Sequence, residues 1–156
     1  MDSSALHSLA ALLRSQRAAA LGVIRDETPL VTLVVYALAP NNATFYLHLS
    51  GLAWHTRALR ANPRAGLMVA YPDTNSGDPQ TLARVSLQGE AWPIPKATAE
   101  FEAIKRLYLA RFPAAERNFE LTDFDLYAFT PHTARYVADF GKIYTLEREH
   151  FQLLGK

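Results

Sequence analysis

The sequence contains no cysteine. That excludes disulfides, thiolate-held iron–sulfur clusters and thiol nucleophiles, and it suits a reducing, cytoplasmic setting. An excess of either charge is also missing: Lys+Arg is 16 against Asp+Glu 15, a formal net charge of +1. A nucleic-acid binder would carry a basic surplus, so no nucleic-acid partner is expected. No apolar run reaches the ~18 residues of a membrane span. The opening residues, MDSSALHSLAALLRSQR, lack the basic region of a signal peptide. The five histidines do not cluster, which argues against a dedicated zinc site. P-loop, GxGxxG and Ser-His-Asp signatures are absent as well. What remains is 156 residues, 49% hydrophobic and 20% charged, the balance of one globular domain spanning 1–156.

Periodicity divides the chain into strands and helices. Leu6, Leu9, Leu12 and Leu13 repeat at helical spacing after Ser3 or Ser4 as cap, giving a helix over about Ser4–Gln16. AALGVIRD reads as a buried strand closed by the turn Asp26–Pro29. Leu30–Leu38 is β-branched and apolar on both faces, the pattern of a central strand covered on both sides. ATFYLHLS is the next strand, a helix follows Ser50-Gly51 and stops before Pro63, and RAGLMVAY returns to strand. Pro72–Thr81 is a loop. In ARVSLQGEA, Val85, Leu87, Gly89 and Ala91 form one face, and Arg84, Ser86, Gln88 and Glu90 the other. KATAEFEAIKRLYLARFP is a helix. DFDLYAFTPHTARYVADFG gives two last strands around the turn Thr130-Pro131-His132, and the tail 142–156 forms a short helix or an arm. Short connections favour antiparallel pairing, and the helices between strand groups make the chain α+β, with a closed or nearly closed small barrel hiding the strand edges.

Two places carry candidate chemistry. At SGLAWHTR a strand passes into a helix whose first N–H groups lack internal partners and carry partial positive charge. Ser50, His55 and Thr56 add donors and Arg57 a charged fork, so the turn can cradle a phosphate, or Ser50 simply caps the helix. The strip Arg84, Ser86, Gln88, Glu90 faces either water or a ligand. Trp54 and Trp92 read as core or subunit contacts. His48 reads as a hydrogen-bonded structural histidine and His132 as an exposed turn residue. His150 is either solvated or an axial ligand for haem iron. Asp123, Asp125 and Asp139 show no acid–base pairing.

The ordered series LxxHTRxLxxNPRxxL, GDPxxxARxxLxGxA, YLARFP and DFxLYxFxPxxxRYVxxFG resembles the FMN-binding split-barrel family of pyridoxamine 5′-phosphate oxidase, most closely its haem-utilisation (HugZ-type) branch. The resemblance covers about 12–141. It implies a six-stranded antiparallel split β-barrel with flanking helices, working as a homodimer with FMN at the subunit interface. By position it carries the FMN phosphate to Ser50, Ala53, His55 and Thr56, with Arg57 beside them, and the isoalloxazine ring to Thr32, Leu33, Val34 and Val35. Arg84 falls where relatives keep a glutamine near the ring; a cation there would stabilise the reduced flavin.

The chain departs from the pattern at two places. Pyridoxamine phosphate oxidases have Arg-Lys where Trp54-His55 stand here, and histidine is only partly charged near neutral pH. The C-terminal Trp and Arg signature that closes over the vitamin B6 substrate is replaced by ARYVADFGKIYTLEREHF. The resemblance therefore implies an FMN-dependent oxidoreductase acting on an unidentified small substrate. It leaves two rivals open: a haem-binding or haem-degrading protein with His150 as iron ligand, and a non-catalytic dimer that has lost its cofactor.

Overall fold

In the computed structural model, which describes residues 1–139 and 141–155, the chain opens with helix α1 (Ser3–Ser15). Phe140 and Lys156, which belong to the C-terminal motif and tail, lie outside the described residues. The cap of α1 is Asp2, whose carboxylate accepts from the Ala5 N–H at 2.8 Å, rather than Ser3 or Ser4. An aspartate suits this place because its charge also faces the positive end of the helix.

Strands β1 (Ala18–Arg25) and β2 (Thr28–Val35) form a hairpin. Its turn is Asp26-Glu27, both at positive φ (49° and 62°), the backbone that matches the twist of the flanking strands. β3 (Ala37–Leu38) and β4 (Phe45–Ser50) follow, then α2 (Trp54–Ala61), β5 (Arg64–Ala70), β6 (Arg84–Pro93) and α3 (Ala99–Arg111). The short α4 (Glu116–Phe119) leads to β7 (Phe124–Asp139), and β8 (Lys142–Glu147) and α5 (Arg148–Phe151) form the tail. The eight strands among the described residues join one antiparallel sheet in the order β2-β1-β5-β6-β7-β4-β3, with β8 on β7. The expected six strands are thus extended by β3 and β8, and the tail is a strand plus a short helix. The architecture is an α+β split barrel: β2 and β4 approach at the split without a ladder among the described residues.

Two strand expectations are corrected. β7 is one strand of 16 residues, not two around a turn. Pro131 sits opposite Gly89, and the register shifts between Gln88 and Gly89, so that His132 is the extra residue of a bulge. The bulge bends the strand and absorbs the proline without ending the ladder. Gly89 is obligatory there, because a Cβ on it would lie 2.1 Å from the Thr130 carbonyl oxygen. The segment Leu30–Leu38 is not a central strand covered on both sides. It breaks after Val35, and among the described residues β2 is a terminal strand paired only with β1. Its inner residue Val34 is 5% exposed, whereas Val31 is 68% and Leu33 78% exposed.

The core explains that asymmetry. Leu9, Leu12 and Leu13 of α1 fill the barrel against Leu21, Leu47, Leu67, Val85 and Phe129. A second cluster, Phe101, Ile104 and Tyr108 of α3 with Ala37, Ile94 and Leu126, covers the outside of β4 and β7. Among the described residues no helix covers the outside of β2, β1 and β5. Val31, Leu33, Val35, Ile24 and Met68 there are all exposed. The two tryptophans, read as core or subunit contacts, are outside the core: each is 56% exposed. Among the described residues no helix is long and apolar enough to cross a membrane.

Candidate functional site

β4 delivers Ser50 to the split, and the next three residues turn the chain into α2. The turn is clamped from β7's approach. Ser50 Oγ donates to Asp123 Oδ2 at 2.8 Å and accepts from the Leu52 N–H at 3.2 Å, while the Gly51 N–H donates to the Asp123 carbonyl at 2.5 Å. A side chain on Gly51 would meet Arg60 at 2.9 Å and that same carbonyl at 3.0 Å. Ser50 therefore fixes the turn; the cap position belongs to Ala53, which offers no side-chain acceptor.

α2 thus begins with an uncapped row of backbone donors and a local positive potential. Its third residue, Thr56, is fully buried, and the hydroxyl has no hydrogen-bond partner. Leaving a buried hydroxyl unpaired costs about 1–3 kcal/mol. His55, next to it, reaches across to β2, with Nδ1 3.1 Å from Thr32 Oγ1. Burial lowers the His55 pKa, so the ring stays neutral near pH 7 and supplies a hydrogen bond, not a charge.

A hollow of about 290 Å³ opens at this junction, lined by Leu33, Val34, Val35, Ser50, Ala53 and His55 among others. Thr32 joins it through His55. The fold therefore brings together residues 32–35 with Ser50, Ala53 and His55, which are separated in sequence, and Thr56 sits one residue further along the helix. An uncapped helix start and an orphaned hydroxyl fit an anionic group such as a phosphate.

Three sequence candidates lie elsewhere. Arg57 is exposed on α2. Arg84 is on β6, distant in strand order from the hollow, and its Nη1 donates to the Gln80 and Leu82 carbonyls at 3.0 and 2.9 Å, closing its own loop. His150 caps α5: its Nδ1 accepts from the Glu147 N–H at 3.1 Å. In this arrangement the Nδ1 lone pair is engaged in the cap.

His48 is structural, but rings hold it. It stacks on Phe119 at 3.8 Å between centroids and meets Tyr108 and Phe124, and burial pushes its pKa down to about 4. Sequence reading missed Asp123 as the anchor of Ser50, since nothing local links residues 73 positions apart. It also missed the Arg25 guanidinium 3.8 Å over the Trp54 ring, which ties α2 to β1. Among the described residues no group of three or more His, Asp or Glu could hold a metal ion.

The profile of the pyridoxamine 5′-phosphate oxidase family matches residues 6–138. The chain belongs to this family. No curated protein matches it significantly. Among solved structures, a haem-binding protein from Mycobacterium smegmatis superposes with a TM-score of 0.86 at 25% identity, over 98% of this chain and 62% of its own. The chain thus spans under two-thirds of that relative's length. Another solved structure is 31% identical over 97% of both chains, with a TM-score of 0.80. The haem storage protein HutZ of Vibrio cholerae shares the fold at 17% identity, with a TM-score of 0.70 over 78% of this chain and 85% of its own.

Proposed function

We propose that the chain is a haem-binding member of the pyridoxamine 5′-phosphate oxidase family that works as a homodimer. The observation that carries the haem reading is its similarity, over 98% of its length, to a protein named for haem binding. The bare outer face of β2, β1 and β5 supports it: a porphyrin needs a broad apolar surface, and Val31, Leu33, Val35, Ile24 and Met68 provide one. The same face supports the dimer, because a contiguous exposed apolar patch marks an interaction surface. In this reading the chain binds its cofactor and no reaction is assigned to it.

A second reading, an FMN-dependent oxidoreductase, is favoured by a different observation: the orphaned Thr56 hydroxyl at the uncapped start of α2. There Ser50, His55 and Thr56 would hold the phosphate, and residues 32–35 would flank the ring. Arg84 would reach that ring only from the second copy. FMN would supply electron or hydride transfer, and the chain would supply grip and orientation. Adding hemin and FMN in parallel to the purified protein separates the readings. A Soret shift with unchanged FMN fluorescence supports haem; quenched FMN fluorescence without a Soret shift replaces it with flavin.

A further inference from the structure

A cleft of about 680 Å³ opens where α1 and α3 both end beside β3. It shares no lining residue with the hollow at the α2 turn. Two guanidinium groups line it, Arg14 in the last turn of α1 and Arg111 in the last turn of α3. Among the described residues lining it there is no carboxylate, and neither arginine makes any of the ion pairs seen among the described residues. Arg111 Nη2 donates to the Arg14 carbonyl at 3.1 Å and to the Gln16 carbonyl, so part of its charge answers the negative end of α1. Capping does not account for its Nε, which is buried without an acceptor. Arg14 is exposed. A third arginine nearby, Arg17, is committed: its guanidinium lies 4.9 Å from the centre of the Phe112 ring.

The surroundings select the anion. Leu38 and Pro40 on the β3 side and Leu107 and Ala110 on α3 make the rest of the wall aliphatic. A phosphate site gathers hydroxyls, lysines or helix N-termini. The described lining has no hydroxyl and no lysine, and the two helix ends beside it are C-termini, whose free carbonyls repel a doubly charged group. The Asn42 side chain also lines the cleft, but its amide already donates to the Leu154 carbonyl at 2.7 Å. A single carboxylate suits this setting. It matches a guanidinium fork through two parallel hydrogen bonds, and an aliphatic body behind it would cover the half-buried Leu38 and Leu107.

We propose that this cleft binds a small aliphatic monocarboxylate, with its carboxylate paired to Arg14 and Arg111 and its chain laid against Leu38, Leu107 and Ala110. Binding is non-covalent and displaces only water. A turn of the Arg111 guanidinium about its Nη2 anchor would bring the orphaned Nε edge to the incoming oxygen, so α1 stays capped while a donor without a partner gains one. The site is separate from both cofactor readings, because it uses neither the α2 turn nor the outer face of β2, β1 and β5.

The test is isothermal titration of the full chain with octanoate, octanol and inorganic phosphate, with melting as control. Octanoate is expected to bind about tenfold more tightly than either of the others, because only it offers both the charge and the aliphatic body. Arg14→Gln removes one guanidinium but keeps the Arg14 carbonyl that Arg111 caps. It should weaken octanoate binding about fivefold while its melting temperature stays within about 2 °C of the unaltered protein. Arg111→Lys keeps the charge and loses the fork, and should weaken binding about threefold. Leu107→Asp sets a like charge in the aliphatic wall and should weaken binding about tenfold, which keeps the proposal testable if Arg111→Lys fails to fold. No binding of octanoate, equal binding of octanol, phosphate binding as tight as octanoate, or unchanged affinity in Arg14→Gln would each overturn the assignment. None of these results bears on haem or FMN, whose own titrations decide those readings.

Discussion

Replacing Thr56 by valine tests the chemistry of the α2 turn most sharply. Thr56 is fully buried with an unpartnered hydroxyl, and valine exchanges that hydroxyl for a methyl of similar shape. Helix propensity hardly changes between the two. The main difference is the desolvation penalty of the unpaired group, about 1–3 kcal/mol, which valine removes. A domain of this size gains about 2–4 °C in melting temperature per kcal/mol, so ligand-free Thr56→Val should melt about 2–12 °C higher. The second arm adds a phosphate-bearing probe. FMN at a hundredfold excess over its Kd would stabilise a binding protein by about 2.7 kcal/mol. If the hydroxyl is held in reserve for a phosphate, the FMN-induced shift should shrink in Thr56→Val. Thermal melts with and without FMN give both numbers. A ligand-free variant that melts below the unaltered protein would refute the premise, for it would mean that the hydroxyl has a partner after all.

Gly89→Ala should cost about 3 kcal/mol or more and yield little folded protein, since its Cβ would overlap the Thr130 carbonyl at 2.1 Å; a urea melt like that of the unaltered protein would contradict this. Leu33→Asp, at a side chain 78% exposed in the single chain, should shift the protein from dimer to monomer in size-exclusion chromatography without lowering secondary structure, and an unchanged elution would count against the β2 face. His48 makes stability depend on pH. Its pKa falls from 6.5 to about 4 because burial disfavours the charged ring, so its contribution is complete above about 6.5 and is lost as pH drops towards 4. The loss is about 3 kcal/mol, and His48→Phe should flatten the stability–pH curve across that window; equal slopes would be contrary.

How far the sequence could be read depended on whether a feature was local. The helix periods of α1 and α3, the hairpin at Asp26-Glu27 and the alternation in β6 are local, and each was legible. The β7 bulge was not, because Pro131 normally ends a strand and only Gly89 on the neighbouring strand makes room for it. Leu30–Leu38 misled for a related reason. Apolar residues on both faces signal double burial, but here the outer set faces away from the chain's own core. Within the candidate site, Ser50, His55 and Thr56 were legible in the strand-to-helix turn itself, whereas residues 32–35 and Ala53 came only through the resemblance; Leu33, Val34, Val35, Ser50, Ala53 and His55 line one hollow, and Thr32 contacts His55. The role of Asp123 and the engagement of His150 depended on tertiary contacts that spacing does not encode.

The account stands or falls on haem held by a pair of chains. Sedimentation velocity of the protein with a small excess of hemin, recorded at 280 nm and at the Soret wavelength in one run, measures both at once. The account predicts Soret absorbance travelling with a species of twice 17.4 kDa. Soret absorbance left at the meniscus, or moving with a single 17.4 kDa chain, would contradict it.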